Sequence, residues 1–128
     1  MNSTNLESLL EKAKEHEKKY EWLQAAEVYS KAVNTLKDEQ SMKTPEFLEK
    51  MGFSFYKASM QAPDNGEFRR RMKLAIETYT KESRLLEKME KKSSHALALT
   101  AYASSCLEKD PSKKKELLSN WWKLEKQA

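Results

Sequence analysis

The sequence predicts an all-α domain of about six helices, and three observations carry that expectation. The chain holds only two glycines and three prolines in 128 residues, so few breakers interrupt a composition rich in Lys, Glu, Leu and Ala. Apolar residues recur at intervals of three and four, the spacing that gathers them on one face of a helix. Each proline falls at a helix start or in a turn, so the local signals agree. Twelve aromatics (three Trp, five Tyr, four Phe) supply a core despite 34% charged residues, which argues against disorder. A sandwich or barrel would need many more turns.

The first helix is expected over residues 4–18, where Thr4 and Glu7 have capping-box spacing. The second covers 21–37, with Trp22, Ala25, Ala26, Tyr29, Ala32, Val33 and Leu36 on one face. A polar connection, 38–43, follows. The third opens at Thr44-Pro45-Glu46, with Thr44 as N-cap, Pro45 at the first helical position and Glu46 at the positive end of the dipole. It runs to about residue 61, before the turn Ala62-Pro63-Asp64-Asn65-Gly66. The fourth spans 67–91, with Phe68, Met72, Ala75, Ile76, Tyr79, Leu86 and Met89 as its stripe. The fifth, 94–108, is the most apolar and is expected to be buried on more than one side. Asp110-Pro111 repeats the cap-plus-proline start, and the sixth helix carries Leu117, Leu118, Trp121, Trp122 and Leu124 to near residue 127. No linker is long enough to divide the chain, so residues 1–128 are expected to form one domain.

The composition also narrows the chemistry. Two His, three Asp and the single Cys106 leave little material for a metal site or a nucleophilic triad. No P-loop, dinucleotide-binding or zinc-protease motif occurs. We therefore expect no enzyme and no cofactor. Catalysis would require two distant carboxylates to converge in a cavity with strongly perturbed acids. No apolar segment approaches ~18–20 residues, so the chain is not expected to be transmembrane. The N-terminus lacks the apolar run of a signal peptide. One cysteine excludes an intramolecular disulfide framework and suits a cytoplasmic setting.

The stretch YEWLQAAEVYSKAV, residues 20–33, resembles the second half of a tetratricopeptide repeat. Trp22 falls on its aromatic position, Ala25 on the small position, Tyr29 on the second aromatic and Ala32 on the closing alanine. Ala13 and Leu9 match its first helix, where His16 and Lys12 depart from it. Close approach of two antiparallel helices needs small residues at the crossing. Ala13 and Ala25 would supply that contact, with Trp22 and Tyr29 filling the gaps beside it. Leu48, Met51, Gly52 and Phe55 resemble the first helix of a second repeat, partnered by Met72, Ala75, Ile76 and Tyr79. There the two helices are longer than the family's, and Glu82 replaces the closing alanine. The resemblance implies antiparallel helix-hairpin repeats in a right-handed superhelix: one repeat over about 4–38, an extended one over about 44–91 and a degenerate pair over about 94–127. The long helix pairs are also similar to soluble NSF-attachment-protein-type arrays.

That family binds peptides or helices in a concave groove, so the resemblance implies a protein-interaction or scaffolding function. Its groove positions fall on Lys14, Lys18, Glu49, Phe53, Tyr56 and Lys57. The competing reading of Phe53 and Tyr56 is ordinary packing. The Lys/Asn clamp for a C-terminal carboxylate is not reproduced. Arg69, Arg70, Arg71 and Lys73 form the densest basic cluster, with Lys113–Lys115 the second. With a net charge of +4 they define an alternative, a basic module for nucleic acid or anionic membrane. Three consecutive charges fan around a helix, however, which favours a solvated surface. Trp121 and Trp122 point about 100° apart, so one is expected to pack inward and the other to form an exposed edge. A further helix pair of a longer protein, or self-association, would cover that edge. The competing reading is that both cover the local core.

Overall fold

The structure, a computed structural model, describes residues 3–36 and 43–128. Among these are six α-helices and no strand: α1 (Ser3–Lys18), α2 (Trp22–Thr35), α3 (Lys43–Met60), α4 (Asn65–Lys88), α5 (Ser94–Leu107) and α6 (Pro111–Gln127). The expected Thr4 cap rests on a side chain outside the described residues, as does the connection 38–42. Short connections turn the chain back, and each helix packs against its neighbours in sequence, α1 on α2 through to α5 on α6. The second hairpin is the longest, with 18 residues in α3 and 24 in α4. Among the described residues, no helix is long and apolar enough to cross a membrane.

Small residues sit where helices cross. Ala13 and Ala25 are fully buried in one cluster with Val28 and Tyr29. Ala32 joins Leu6, Leu36 and Phe47 in a second cluster, which fastens α3 to the first hairpin. The central cluster gathers Ala26, Phe55, Met72, Ala75, Tyr79 and Ala103 from α2, α3, α4 and α5. Gly52 faces a large ring rather than another small residue. A Cβ built there would stand 2.6 Å from Tyr79 Cε1, so only glycine lets that ring close over α3. The burial of Tyr79 offsets the ~0.5–1 kcal/mol that a mid-helix glycine costs.

Several boundaries differ from expectation, each for a local reason. α3 begins at Lys43, so Thr44 lies inside the first turn and is not its N-cap; its Oγ1 is buried without a hydrogen-bond partner. α4 begins at Asn65 because the Asp64 carboxylate accepts the Glu67 N–H at 2.8 Å, which draws Asn65 and Gly66 out of the expected turn. Asp110 caps α6 by accepting the Ser112 N–H at 2.9 Å, with Pro111 opening the helix. α1 and α4 end through left-handed residues that are not glycine, Tyr20 (φ 61°) and Glu90 (φ 57°). After each, an amide reaches five residues back, Glu21 to the His16 carbonyl and Lys91 to that of Leu86. That is the Schellman arrangement. Trp22 does not fill the core beside Ala25; it is half-buried at the surface. Finally, α6 has no fully buried residue: Leu117, Trp121 and Leu124 reach only partial cover against α5.

Candidate functional site

The surface rings form one continuous string across four helices. Trp22 at the start of α2 meets Phe53 of α3 edge-on, with centroids 5.7 Å apart and planes at 89°. Phe53 neighbours Tyr56 at 6.4 Å, Tyr56 meets Tyr102 of α5 at 6.1 Å, and Tyr102 meets Trp121 of α6 at 5.4 Å. Trp122 ends the string at 6.3 Å from Trp121. Phe53 is 45% exposed and Trp122 55%, and the four rings between or beside them are half-buried. Partial burial and a hydrogen bond with Tyr102 push the Tyr56 phenol up to about 12. Two lysines lie on the string: Lys57 Nζ is 5.8 Å from the Trp22 centroid and 5.9 Å from that of Phe53, and Lys126 Nζ is 5.1 Å from that of Trp122. Such contacts attract through the negative face of the ring. Phe53, Tyr56 and Lys57 thus share one face with Trp121 and Trp122, whereas Lys14 and Lys18 stand exposed on α1 outside it.

Beside the Trp22 end lies a hollow of about 370 Å³ that draws on five helices. Glu17 of α1, Trp22 of α2, Glu49, Lys50 and Phe53 of α3, Tyr79 of α4, and His95 and Leu99 of α5 line it. Glu17 is oriented by the buried Tyr29, whose hydroxyl donates to its carboxylate at 2.5 Å. Burial and the Glu17 charge push the Tyr29 hydroxyl well above its ordinary range. Glu49 is flanked by two groups. His95 Nε2 lies 3.7 Å away, while His95 Nδ1 is 2.8 Å from Glu125 of α6. On its other side Glu82 of α4, 4% exposed, shares a hydrogen bond with Glu49. Burial first, then the Glu49 charge, raise Glu82 far above the usual carboxylate range, so its carboxyl is neutral at pH 7 and its O–H donates to Glu49. The other Glu82 oxygen, Oε1, has no hydrogen-bond partner.

Local spacing hid this group. Glu49, Glu82, His95 and Glu125 lie on four different helices, and only the stacking of α3 to α6 brings them together. The one signal available beforehand was the glutamate at a position where a small residue would close the repeat. Two distant carboxylates do therefore meet, but only Glu49 lines the hollow and Glu82 does not. Among the described residues, no three His, Cys, Asp or Glu are placed to hold a metal ion.

The basic cluster is engaged within the fold. Arg70 donates to both Glu67 carboxylate oxygens at 2.8 and 2.7 Å. Arg71 donates to Glu67 at 2.7 Å and to the Ala58 carbonyl at 2.9 Å, tying α4 to α3. Together they hold the Glu67 carboxyl down to about 2, through hydrogen bonds from Arg70 and then Arg71. Arg69 is half-buried and Lys73 exposed. A wider hollow of about 850 Å³ runs along α6 past Lys113 and Lys115, but side chains from one helix form almost all of it. Comparison of the chain with protein-family models, curated proteins and solved structures returns no match.

Proposed function

We propose that the protein is a protein-interaction module whose aromatic string docks a peptide or helix of a partner. The hairpins are read as a tetratricopeptide-like array; packing chiefly between helices adjacent in sequence and the buried Ala13–Ala25 crossing support that arrangement. The observation that carries the docking reading is the string itself: six rings from four helices in contact along one face, with its second and last rings about half exposed. Aromatic rings give large contact area with few torsions to freeze, and they dominate interface energetics. Monomeric proteins rarely leave such rings contiguous and uncovered without a use.

Two other readings are less supported. In the basic cluster, Arg70 and Arg71 satisfy Glu67 and Ala58, which leaves Arg69 and Lys73 to grip phosphates. Acid–base chemistry would need the neutral Glu82 to reach a ligand from behind Glu49, and it does not line the hollow.

The test is selection of peptides from a randomised displayed library against the full chain, followed by affinity measurement on the Phe53→Ser/Trp122→Ser variant. Both side chains are substantially exposed, so the variant should fold. Selected peptides are expected to lose ~10-fold or more in affinity, about 1.4 kcal/mol. Equal binding to the variant would overturn the reading, as would a concentration-dependent dimer that buries the same rings.

A further inference from the structure

We infer that the hollow beside Trp22 is a cation pocket, which takes an arginine or lysine side chain of the docked partner segment. The inference rests on the docking reading and names the chemistry of its occupant. Three observations converge on it.

The first is charge. Glu17 and Glu49 present carboxylates to the hollow, and Glu125 approaches its edge through His95. Lys50 is the single ammonium in the lining, so two lining carboxylates face one lining ammonium, with Glu125 and Lys57 just outside it. In a protein with net charge +4, this is a local reversal of sign. The field therefore draws cations to this end of the string although the whole molecule repels them.

The second is the ring geometry. Trp22 and Phe53 stand edge-to-face and form a corner in the wall of the hollow. The chain's own Lys57, which does not line the hollow, already holds its ammonium near both ring centroids. The corner is thus shown with a cation against it, and the hollow offers a second such cation the same rings together with carboxylates. A guanidinium suits the combination best, because its plane stacks on a ring while its N–H groups reach carboxylates.

The third is the fixing of Glu49. Its carboxylate is held by the Glu82 hydroxyl and faces His95. Burying Glu82 is unfavourable, and its Oε1 still lacks a partner. What that arrangement achieves is a Glu49 pre-oriented at the mouth of the hollow, so less order must be imposed when a cation arrives. Glu82 is accordingly a positioning residue, one that does not touch the ligand.

The experiment titrates the full chain with N-acetyl-arginine-N′-methylamide and follows the Trp22 indole N–H and the Leu99 amide by NMR. The uncharged citrulline analogue is the control. Saturable shifts at both groups are expected for the arginine compound, with the citrulline compound ~10-fold weaker or more. Glu49→Gln should weaken arginine binding to a similar extent, and Glu17→Gln provides a second variant should the first perturb the fold. Equal binding of citrulline, absence of saturable shifts, or full affinity in both folded variants would overturn the pocket. If displayed peptides bind through Phe53 and Trp122 while arginine does not bind, the pocket fails and the docking reading stands. Arginine binding with no peptide selected would overturn the docking reading instead.

Discussion

Glu82 is the residue whose chemistry departs furthest from its composition. Its folded value lies above the ordinary 4.5, so the folded chain holds that proton more tightly than the unfolded chain does. The stabilising proton is present in both states at low pH. As the pH rises above about 4.5, the unfolded state gives its proton up first, and stability falls until the folded value is passed. Urea denaturation is therefore expected to show the wild type losing stability between about pH 5 and about pH 9. Glu82→Gln keeps the hydrogen bond to Glu49 without an ionisable proton. It should flatten that slope and be more stable at the upper pH by ~1–3 kcal/mol. A variant as pH-sensitive as the wild type would contradict the assignment. The sequence flagged this position only as a misfit in a repeat. Its partners could not be read, because Glu49 and His95 are brought to it by helix stacking and not by spacing. Gly52 was legible as a close contact, but not that the contact is the face of Tyr79.

At the scale of the element, the start of α6 was the plainest boundary, because Asp110-Pro111 is a cap written in residue types. Asp64, whose carboxylate meets the Glu67 amide, was expected only as part of a turn, and Thr44 was expected as a cap but lies inside α3. The ends of α1 and α4 carry no such mark, because Tyr20 and Glu90 occupy left-handed positions that glycine usually fills. Nothing in a tyrosine or a glutamate announces that conformation. Glu90 also sets a negative charge near the negative end of α4. Glu90→Gly is thus expected to raise stability by ~0.5–1 kcal/mol, read as a higher urea midpoint with an unchanged slope. No gain would mean that the local geometry already suits the glutamate.

The described helices are held chiefly by contacts between successive helices, with the central cluster reaching from α2 to α5. Such a stack has no single centre whose loss undoes everything, and its stability varies along its length. α3 and α4 contribute Phe55, Met72, Ala75 and Tyr79 to the central cluster, whereas α6 contributes no fully buried residue. Hydrogen exchange should therefore find the slowest amides in α3 and α4 and the fastest helical amides in α6. Uniform protection across the six helices would show a more cooperative unit than the packing implies. The number of helices and their order followed from periodicity and breakers. The aromatic string did not, since Phe53–Tyr56 and Trp121–Trp122 lie far apart in the chain and become neighbours only through Tyr102.

That string has an optical consequence. The chain has three tryptophans, and all of them lie in it: Trp22 near one end, Trp121 and Trp122 at the other. None belongs to the buried core. The protein's tryptophan emission thus originates on the face proposed to dock a partner, and a ligand settling there would shift its colour or quench it. The molecule carries its own reporter of occupancy, at both ends of the same surface, with no dye attached.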